Sequence, residues 1–332
     1  MFNDKTVVIT GGAGFIGSNL ALHLQENYSG CKIVVFDSFV SEKKFPNGNY
    51  TSLGHFKNLI GFRGEVISGD INSSEDLKRI KAIDFDVMFH QAAISDTTVM
   101  DQKLMVATNV NAFKDLLDIC QEKGATMVYA SSAGTYGNSV APNCVGEGEF
   151  PENVYGFSKL MMDNLAYRYM QKQSSSPIIG LRYFNVYGPK ELYKGKTASM
   201  ILQLGLQMLE GKNPRLFKWG EQKRDFVYIQ DVVQANIKAA TAGVSGVYNV
   251  GSGKARMFKD IVAGLNSSLD MQMEIEFFDN PYSFYQNHTE ADIQKTQKDL
   301  GYDPEFSLEE GIDAYKKDIV KIYNEGVFYD RV

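Results

Sequence analysis

The sequence predicts a doubly wound parallel α/β sheet with a smaller α/β part interleaved into it, and three observations predict it. Short apolar runs alternate with segments of helical periodicity from Thr6 to Val250. The first run feeds a glycine turn that opens a helix, Gly11-Gly-Ala-Gly-Phe-Ile-Gly17. The residues able to do chemistry fall just after the runs, at the edge where an open parallel sheet collects its ligands.

Thr6 to Thr10 reads as a buried strand, and a helical pattern runs from the glycine turn through Gln25. Gly11, Gly14 and Gly17 allow a tight turn and close backbone approach to a pyrophosphate, while the helix N-terminus faces its charge. Lys32 to Phe36 is a second strand ending in Asp37, 20 residues beyond Gly17, where a carboxylate can accept from adenosine ribose hydroxyls. Glu65 to Ser68 is a third strand, leading to Asp70 and Ile71, with Ser74 as the expected cap of a helix to Lys81. Asp86 to His90 is a fourth, ending in Gln91, Ala92 and Ala93, whose small side chains leave room for a cofactor. Leu104 to Glu122 is a helix, and Thr126 to Ala130 a fifth strand that exits into Ser131-Ser132-Ala-Gly-Thr-Tyr-Gly137.

Asn153 to Tyr169 reads as the opening of the next helix, with Met161, Leu165 and Tyr169 on its apolar stripe. Tyr155 and Lys159 are four apart and leave one face, one turn from each other. An ammonium so placed is expected to lower the phenol's pKa by about 1 to 3 units and let it take a proton from an alcohol. A lone Tyr-x-x-x-Lys is usually surface decoration. This one lies on the same sheet edge as the glycine turn, Asp37, Asp70 and Ser132, and that co-location makes it a candidate catalytic pair.

Ile178 to Arg182 is a sixth strand, running through Tyr183 to Pro189 into a polar loop, Lys190 to Lys196. Helices are expected at Ala198 to Gly211, Asp231 to Ala242, Met257 to Leu269 and Leu308 to Tyr323, and strands at Arg215 to Phe217, Arg224 to Ile229 and Gly246 to Val250. No linker or repeat is visible, so two parts must interleave: residues 1–182 and 225–253 for a dinucleotide, 183–224 and 254–332 for a substrate.

The 332 residues carry a net charge of −6 without a basic stripe, which argues against nucleic acid or an anionic membrane as partner. No apolar run reaches the roughly 20 residues of a membrane helix. The first residues have no basic region ahead of an apolar run, so no signal peptide is expected and the cytoplasm is the default. Three scattered cysteines and four scattered histidines form no metal-ligand spacing, so no metal is expected.

Glycines, ribose acid, serine, tyrosine and lysine in this order resemble the extended short-chain dehydrogenase/reductase family. Tyr129-Ala-Ser-Ser-Ala-Gly-Thr-Tyr-Gly137, Asn153-Val-Tyr-Gly-Phe-Ser-Lys159 and Leu181-Arg-Tyr-Phe-Asn-Val-Tyr-Gly-Pro189 carry the likeness over essentially the full length. Ser95-Asp-Thr-Thr98 and the lysine ahead of Thr197-Ala-Ser point to its heptose-epimerising branch. The resemblance implies a Rossmann-type sheet and an epimerase that inverts C6 of a nucleotide-linked heptose through transient hydride transfer. It implies Tyr155 and Lys194 as acid/base residues on two sides of the sugar, Lys159 as partner of Tyr155, and Ser132 as orienter of the hydroxyl. For the cofactor it implies Gly11, Gly14, Phe15, Ile16, Gly17, Asp37, Ser38, Lys44, Asp70, Ile71, Gln91, Ala92, Ala93, Asn109, Lys159 and Val186. For the substrate it implies Ser95, Thr97, Ser132, Asn185, Lys196, Gln203, Phe217, Arg224 and Tyr285. NADP is the implied cofactor with NAD as the alternative, since Asp37 repels a 2′-phosphate while Lys43 and Lys44 attract one. Relatives form homo-oligomers and feed lipopolysaccharide inner-core synthesis. A 4,6-dehydratase would show an Asp-Glu pair where this chain has Ala133-Gly134-Thr135, and a UDP-hexose 4-epimerase is the nearer rival. A non-catalytic dinucleotide sensor predicts loss of the Tyr155–Lys159 pair, which is intact.

Overall fold

Runs rich in Val, Ile and Phe between turn glycines become the buried strands of one sheet. The computed structural model describes residues 1–172, 176–279 and 288–326. Its first half runs β1 (Thr6–Thr10), α1 (Phe15–Asn27), β2 (Lys32–Asp37), β3 (Glu65–Ser68), α2 (Ser74–Ala82), β4 (Val87–His90), α3 (Gln102–Val106), α4 (Ala112–Lys123), β5 (Thr126–Ser132) and α5 (Val154–Gln171). The second half runs β6 (Ile178–Tyr183), β7 (Asn185–Tyr187), α6 (Met200–Leu209), β8 (Arg215–Phe217), β9 (Lys223–Tyr228), α7 (Ile229–Thr241), β10 (Gly246–Val250), β11 (Ala255–Met257), α8 (Phe258–Leu269), β12 (Glu276–Phe278), α9 (Gln294–Leu300) and α10 (Leu308–Asn324).

Seven strands pair in parallel in the order β10–β6–β5–β4–β1–β2–β3. The winding reverses between β1 and β4, so a crevice opens beyond their carboxyl ends. Strand alternation feeds two layers: Val7, Ile9, Val35 and Phe89 pack with Leu20 and Leu24 of α1, and Val8, Val34, Phe36 and Met88 with Ile80, Phe113 and Met162. β9 leaves this sheet and sits between β7 (parallel) and β11 (antiparallel), while β8 pairs with β12. The amphipathic tail buries Ile312, Tyr315 and Ile319 of α10 with Ile261 and Leu265 of α8 and Ile201 of α6. Among the described residues no helix is long and apolar enough to cross a membrane.

Several local expectations are corrected. Ser73, not Ser74, caps α2, its hydroxyl accepting from the Asp76 N–H at 3.2 Å. The helix expected from Leu104 to Glu122 starts at Gln102 and is interrupted by a π-turn at Ala107–Asn111. The loop after β6 holds β7 and a 3-10 turn at Leu192–Thr197. β7, β11 and β12 are three-residue strands, too short for periodicity to reveal, and exist because a partner strand is present.

Beneath β5 and β6 lies a dry ionic cluster. Asp163, on the Tyr155–Lys159 face of α5, accepts from the Tyr129 hydroxyl at 2.9 Å, the Ser131 hydroxyl at 3.0 Å and Arg182 Nε at 2.8 Å. Arg182 is fully buried and also donates to Glu149 at 2.5 Å. Asp163→Ala strands a buried guanidinium, so its unfolding free energy should fall by about 3–5 kcal/mol in denaturant titration. A loss under about 1 kcal/mol would mean that Glu149 alone satisfies Arg182.

Candidate active site

The glycine turn lies at the switch point because its backbone is pressed against the strand beside it. Gly11 has φ +70°, and a Cβ there would stand 2.6 Å from Ala92 N. A Cβ on Gly17 would stand 2.3 Å from the Gly11 carbonyl oxygen. Gly14 caps α1 with no side chain, and no acidic residue occupies the first turn, which leaves its N–H groups to an anion. This is a backbone cradle that fits a dinucleotide's pyrophosphate.

Asp37 ends β2 beside that cradle but is only 5 % exposed. Its carboxylate accepts from Ala13 N–H at 2.9 Å and Phe39 N–H at 2.8 Å, and Gly54 packs onto it without a Cβ to spare. Burial raises its pKa, and the amides of Phe39, Ala13 and Gly14 oppose that. Ser38 bonds Ser52 at 3.0 Å, and the exposed Lys44 lies 4.6 Å over the Tyr50 ring. Asp70 is exposed and accepts from Asn72 N–H, whereas Ile71 is part of the core. Gln91 exchanges bonds with Tyr183 and Asn236 across β4, β6 and α7. Ala92 and Ala93 are half-buried, and Phe15 is buried beside half-buried Ile16.

At the exit of β5, Ser132 caps a 3-10 turn, accepting from Gly134 N–H at 3.0 Å. Asn153 caps α5, accepting from Gly156 N–H at 2.8 Å, and a Cβ on Gly156 would stand 2.3 Å from the Gly134 carbonyl oxygen. That contact, open only to glycine, brings Tyr155 onto Ser132. Lys159 is 1 % exposed and donates to the Ala130 carbonyl at 2.7 Å, with Nζ 5.8 Å from the Tyr155 ring centre. Burial raises the Tyr155 pKa, and the Ser132 hydroxyl opposes that. Burial likewise lowers Lys159 itself to about 8, with Asp163 pulling the other way.

Asn109 is fully buried and belongs to the wall: its amide bonds Ile94 N–H at 2.9 Å, Ile94 carbonyl at 3.0 Å and Ser158 Oγ at 2.9 Å. Ser95 and Thr97 are exposed, and between them Asp96 is buried. Asp96 accepts from Asn47, Asn49 and Thr98, and these bonds outweigh the effect of burial and lower its pKa. It therefore ties the segment carrying Lys44 to the segment after β4, a role its exposed neighbours hid in the sequence.

Lys194 is half-buried on the 3-10 turn with Nζ 5.2 Å from the Phe15 ring centre, beside the glycine turn. Burial lowers its pKa and Glu191 raises it. Asn185 is exposed and Val186 half-buried on β7. Gln203 donates to the Ala198 carbonyl at 2.7 Å and is exposed, as is Lys196. Phe217 packs edge-on to Phe278 with ring centres 4.9 Å apart, and buried Arg224 lies 5.8 Å over the Phe258 ring. Tyr285 lies outside the described residues. The structure thus gathers the glycine turn with Ala92, Asp37 and Lys194, and Ser132 with Tyr155 and Lys159. It sets Phe217, Arg224 and Gln203 on the second part of the chain.

The model of the NAD dependent epimerase/dehydratase family matches residues 7–251. The chain belongs to that family. It is also similar to solved structures along its whole length. The Helicobacter pylori ADP-L-glycero-D-manno-heptose-6-epimerase is 52% identical, over 96% of this chain and 97% of that one, with a TM-score of 0.89. The Thermotoga maritima UDP-glucose 4-epimerase, solved with UDP-glucose, is 27% identical over 95% and 99%, TM-score 0.84. The Bacillus cereus UDP-glucuronic acid 4-epimerase, solved with UDP-glucuronic acid and NAD, is 29% identical over 96% and 100%, TM-score 0.81.

The depressed pKa of Lys159 has a stability consequence. Below about 8 the native state carries a buried charge, a cost of about 3 kcal/mol against an unfolded lysine. Between about pH 8 and 10.5 the native state loses that proton before the unfolded chain does, so the cost fades as pH rises. Lys159→Met should therefore gain most against wild type at pH 7 and progressively less toward pH 10 in denaturant titrations. A pH-independent difference would mean that Lys159 titrates normally.

Proposed function

We propose that the chain is an ADP-L-glycero-D-manno-heptose 6-epimerase that converts ADP-D-glycero-D-manno-heptose to its L-glycero epimer. The supporting observation is the half-buried Lys194 ammonium held beside the glycine turn, in a chain 52% identical to such an enzyme. The family's tyrosine–lysine helix supplies one proton-exchanging side chain, and Lys194 supplies a second from a different element.

C6 of the heptose has no neighbouring carbonyl, so its hydrogen is not acidic and simple deprotonation fails. A bound nicotinamide supplies a reversible hydride acceptor with a cationic ring, which lets an alcohol carbon become a ketone and return. The chain's own residues handle the protons. Ser132 orients the hydroxyl, and Tyr155 exchanges its proton, with Lys159 fixed one turn below. When the sugar end turns about C5–C6 its oxygen faces another wall, which Lys194 serves. Burial of Lys194 brings its proton affinity toward neutrality, as proton exchange near pH 7 requires. Ser95, Thr97, Asn185, Lys196, Gln203, Phe217, Arg224 and Tyr285 hold the nucleotide sugar in this reading. Residues 1–182 and 225–253 bind the dinucleotide, and 183–224 and 254–332 the sugar.

We infer NADP as the cofactor. Asp37 is buried and its charge is met by two amide N–H groups, while Lys43 and Lys44 are exposed nearby in sequence. Gly11, Gly14, Phe15, Ile16 and Gly17 cradle the pyrophosphate in this reading, with Ser38, Asp70, Gln91, Ala92, Ala93 and Val186 around the rest. A cytoplasmic homo-oligomer supplying heptose for the lipopolysaccharide inner core completes it.

Incubation with ADP-D-glycero-D-manno-heptose, with C6 followed by NMR, tests the reaction. Tyr155→Phe and Lys194→Met should each slow epimerisation by about a hundred- to ten-thousandfold with cofactor retained. Near-normal turnover by Lys194→Met removes the two-base scheme, and turnover of UDP-galactose in place of the heptose moves the assignment to a UDP-hexose 4-epimerase. Lys44→Ala should weaken NADP binding by about tenfold and leave NAD unchanged in calorimetric titration. Equal effects on both would remove the 2′-phosphate role.

A further inference from the structure

The loop that carries Lys194 is closed by a single carboxylate. Glu191 is fully buried. It accepts from the Gly188 N–H at 3.2 Å, the Ser199 hydroxyl at 2.7 Å and the Ser199 N–H at 2.7 Å. Those bonds join the two ends of the loop between β7 and α6. The Ser199 hydroxyl accepts from Leu202 N–H at 3.2 Å and so caps α6 at the same time. Lys194 N–H donates to the Glu191 carbonyl at 2.9 Å, which fixes the turn from which its ammonium projects.

Outside the staple, the loop is tied to the glycine-turn side. Asn19 of α1 donates to the Pro189 carbonyl at 3.0 Å, Lys190 donates to the Asn58 carbonyl at 2.9 Å, and the Tyr193 ring stacks on His55. Facing the Glu191 carboxyl are Lys194 on its own loop, Tyr187 of β7 and Tyr315 of α10. Beside Glu191 in the chain, burial lowers the Lys190 pKa, with Asp318 and Glu26 opposing it and Lys321 adding to it. Glu191 is the charge that acts on Lys194 against its burial.

A buried carboxylate is expensive unless several donors meet it or a cation lies close. A loop closure alone could be made with neutral side chains, as Ser199 itself demonstrates by capping α6. A carboxylate three residues from a half-buried ammonium does something a neutral group cannot. We propose that Glu191 is the positioning residue of Lys194, closing its loop and giving its ammonium a buried counter-charge. The catalytic consequence rests on the epimerase reading above; the structural one does not.

The titration of Lys194 in the full chain, read by NMR with 13Cε-labelled lysine and assigned through Lys194→Met, tests this directly. Glu191→Gln should move the Lys194 midpoint to lower pH by about one unit or more, a tenfold loss of proton affinity. Ser199→Ala removes a loop bond but keeps the charge, and should move it far less. An unmoved midpoint in Glu191→Gln, or equal shifts in the two variants, overturns the inference. In the epimerase assay the limb of the pH profile that reports Lys194 should move with the NMR midpoint. A midpoint that moves while the profile stays supports the inference about Glu191 and removes Lys194 from the reaction. Should Glu191→Gln fail to fold, 13C-glutamate spectra of the unmutated chain decide. An ionised Glu191 at pH 7 supports the counter-charge, and a protonated one overturns it.

Discussion

A lysine cation held on a backbone carbonyl, with about one per cent of its surface exposed, is the constraint from which this structure is best understood. Lys159 fixes α5 against the end of β5, and everything on that edge inherits the placement. Tyr155 above it meets Ser132, and Asp163 below it gathers Tyr129, Ser131 and Arg182. The three residues are four apart, so one helical face carries a phenol, a cation and a carboxylate from the sheet edge into the core. Burial of Lys159 and Asp163 makes their charges costly and their alignment strict.

The second part of the chain reaches the same edge by a different device. No strand of β7, β8 or β9 joins the large sheet, yet their connecting loop is fastened to α1 and to the segment after β2. Lys194 is therefore placed by contacts to α1 and to the segment after β2, although the chain that carries it runs on into β8 and β9. Such stitching joins the loop to the sheet without a hinge of free linker. It also explains why no composition break in the sequence marks a boundary.

The large sheet was legible because its strands are apolar runs with turn glycines between them, and because glycine spacing and a following acid have a geometric meaning. The placement of Tyr155, Lys159 and Ser132 at that edge was legible for the same reason, being read from spacing and position. The small sheets were not, since β7, β11 and β12 owe their conformation to partners far along the chain. Glu191 was hidden because the segment from Lys190 to Lys196 looks like a solvated loop, and only the fold shows its carboxyl inside. Asp163 could have been found, because it continues the four-residue spacing from Tyr155 through Lys159.

Burial is the largest effect on both Tyr155 and Lys159. An ammonium one turn away favours a phenolate only to the extent that the ammonium keeps its own proton, and burial works against both ions at once. With Lys159 brought down to about 8 it still carries its proton at neutral pH, yet burial pushes Tyr155 up all the same. The neighbours oppose burial without overcoming it. Asp163 favours a charged lysine from below, and the Ser132 hydroxyl favours a charged phenol from above. The row is thus four residues deep, and the two at its ends, on which a search for a tyrosine and a lysine would place least weight, each moderate the effect of burial on the neighbour between them.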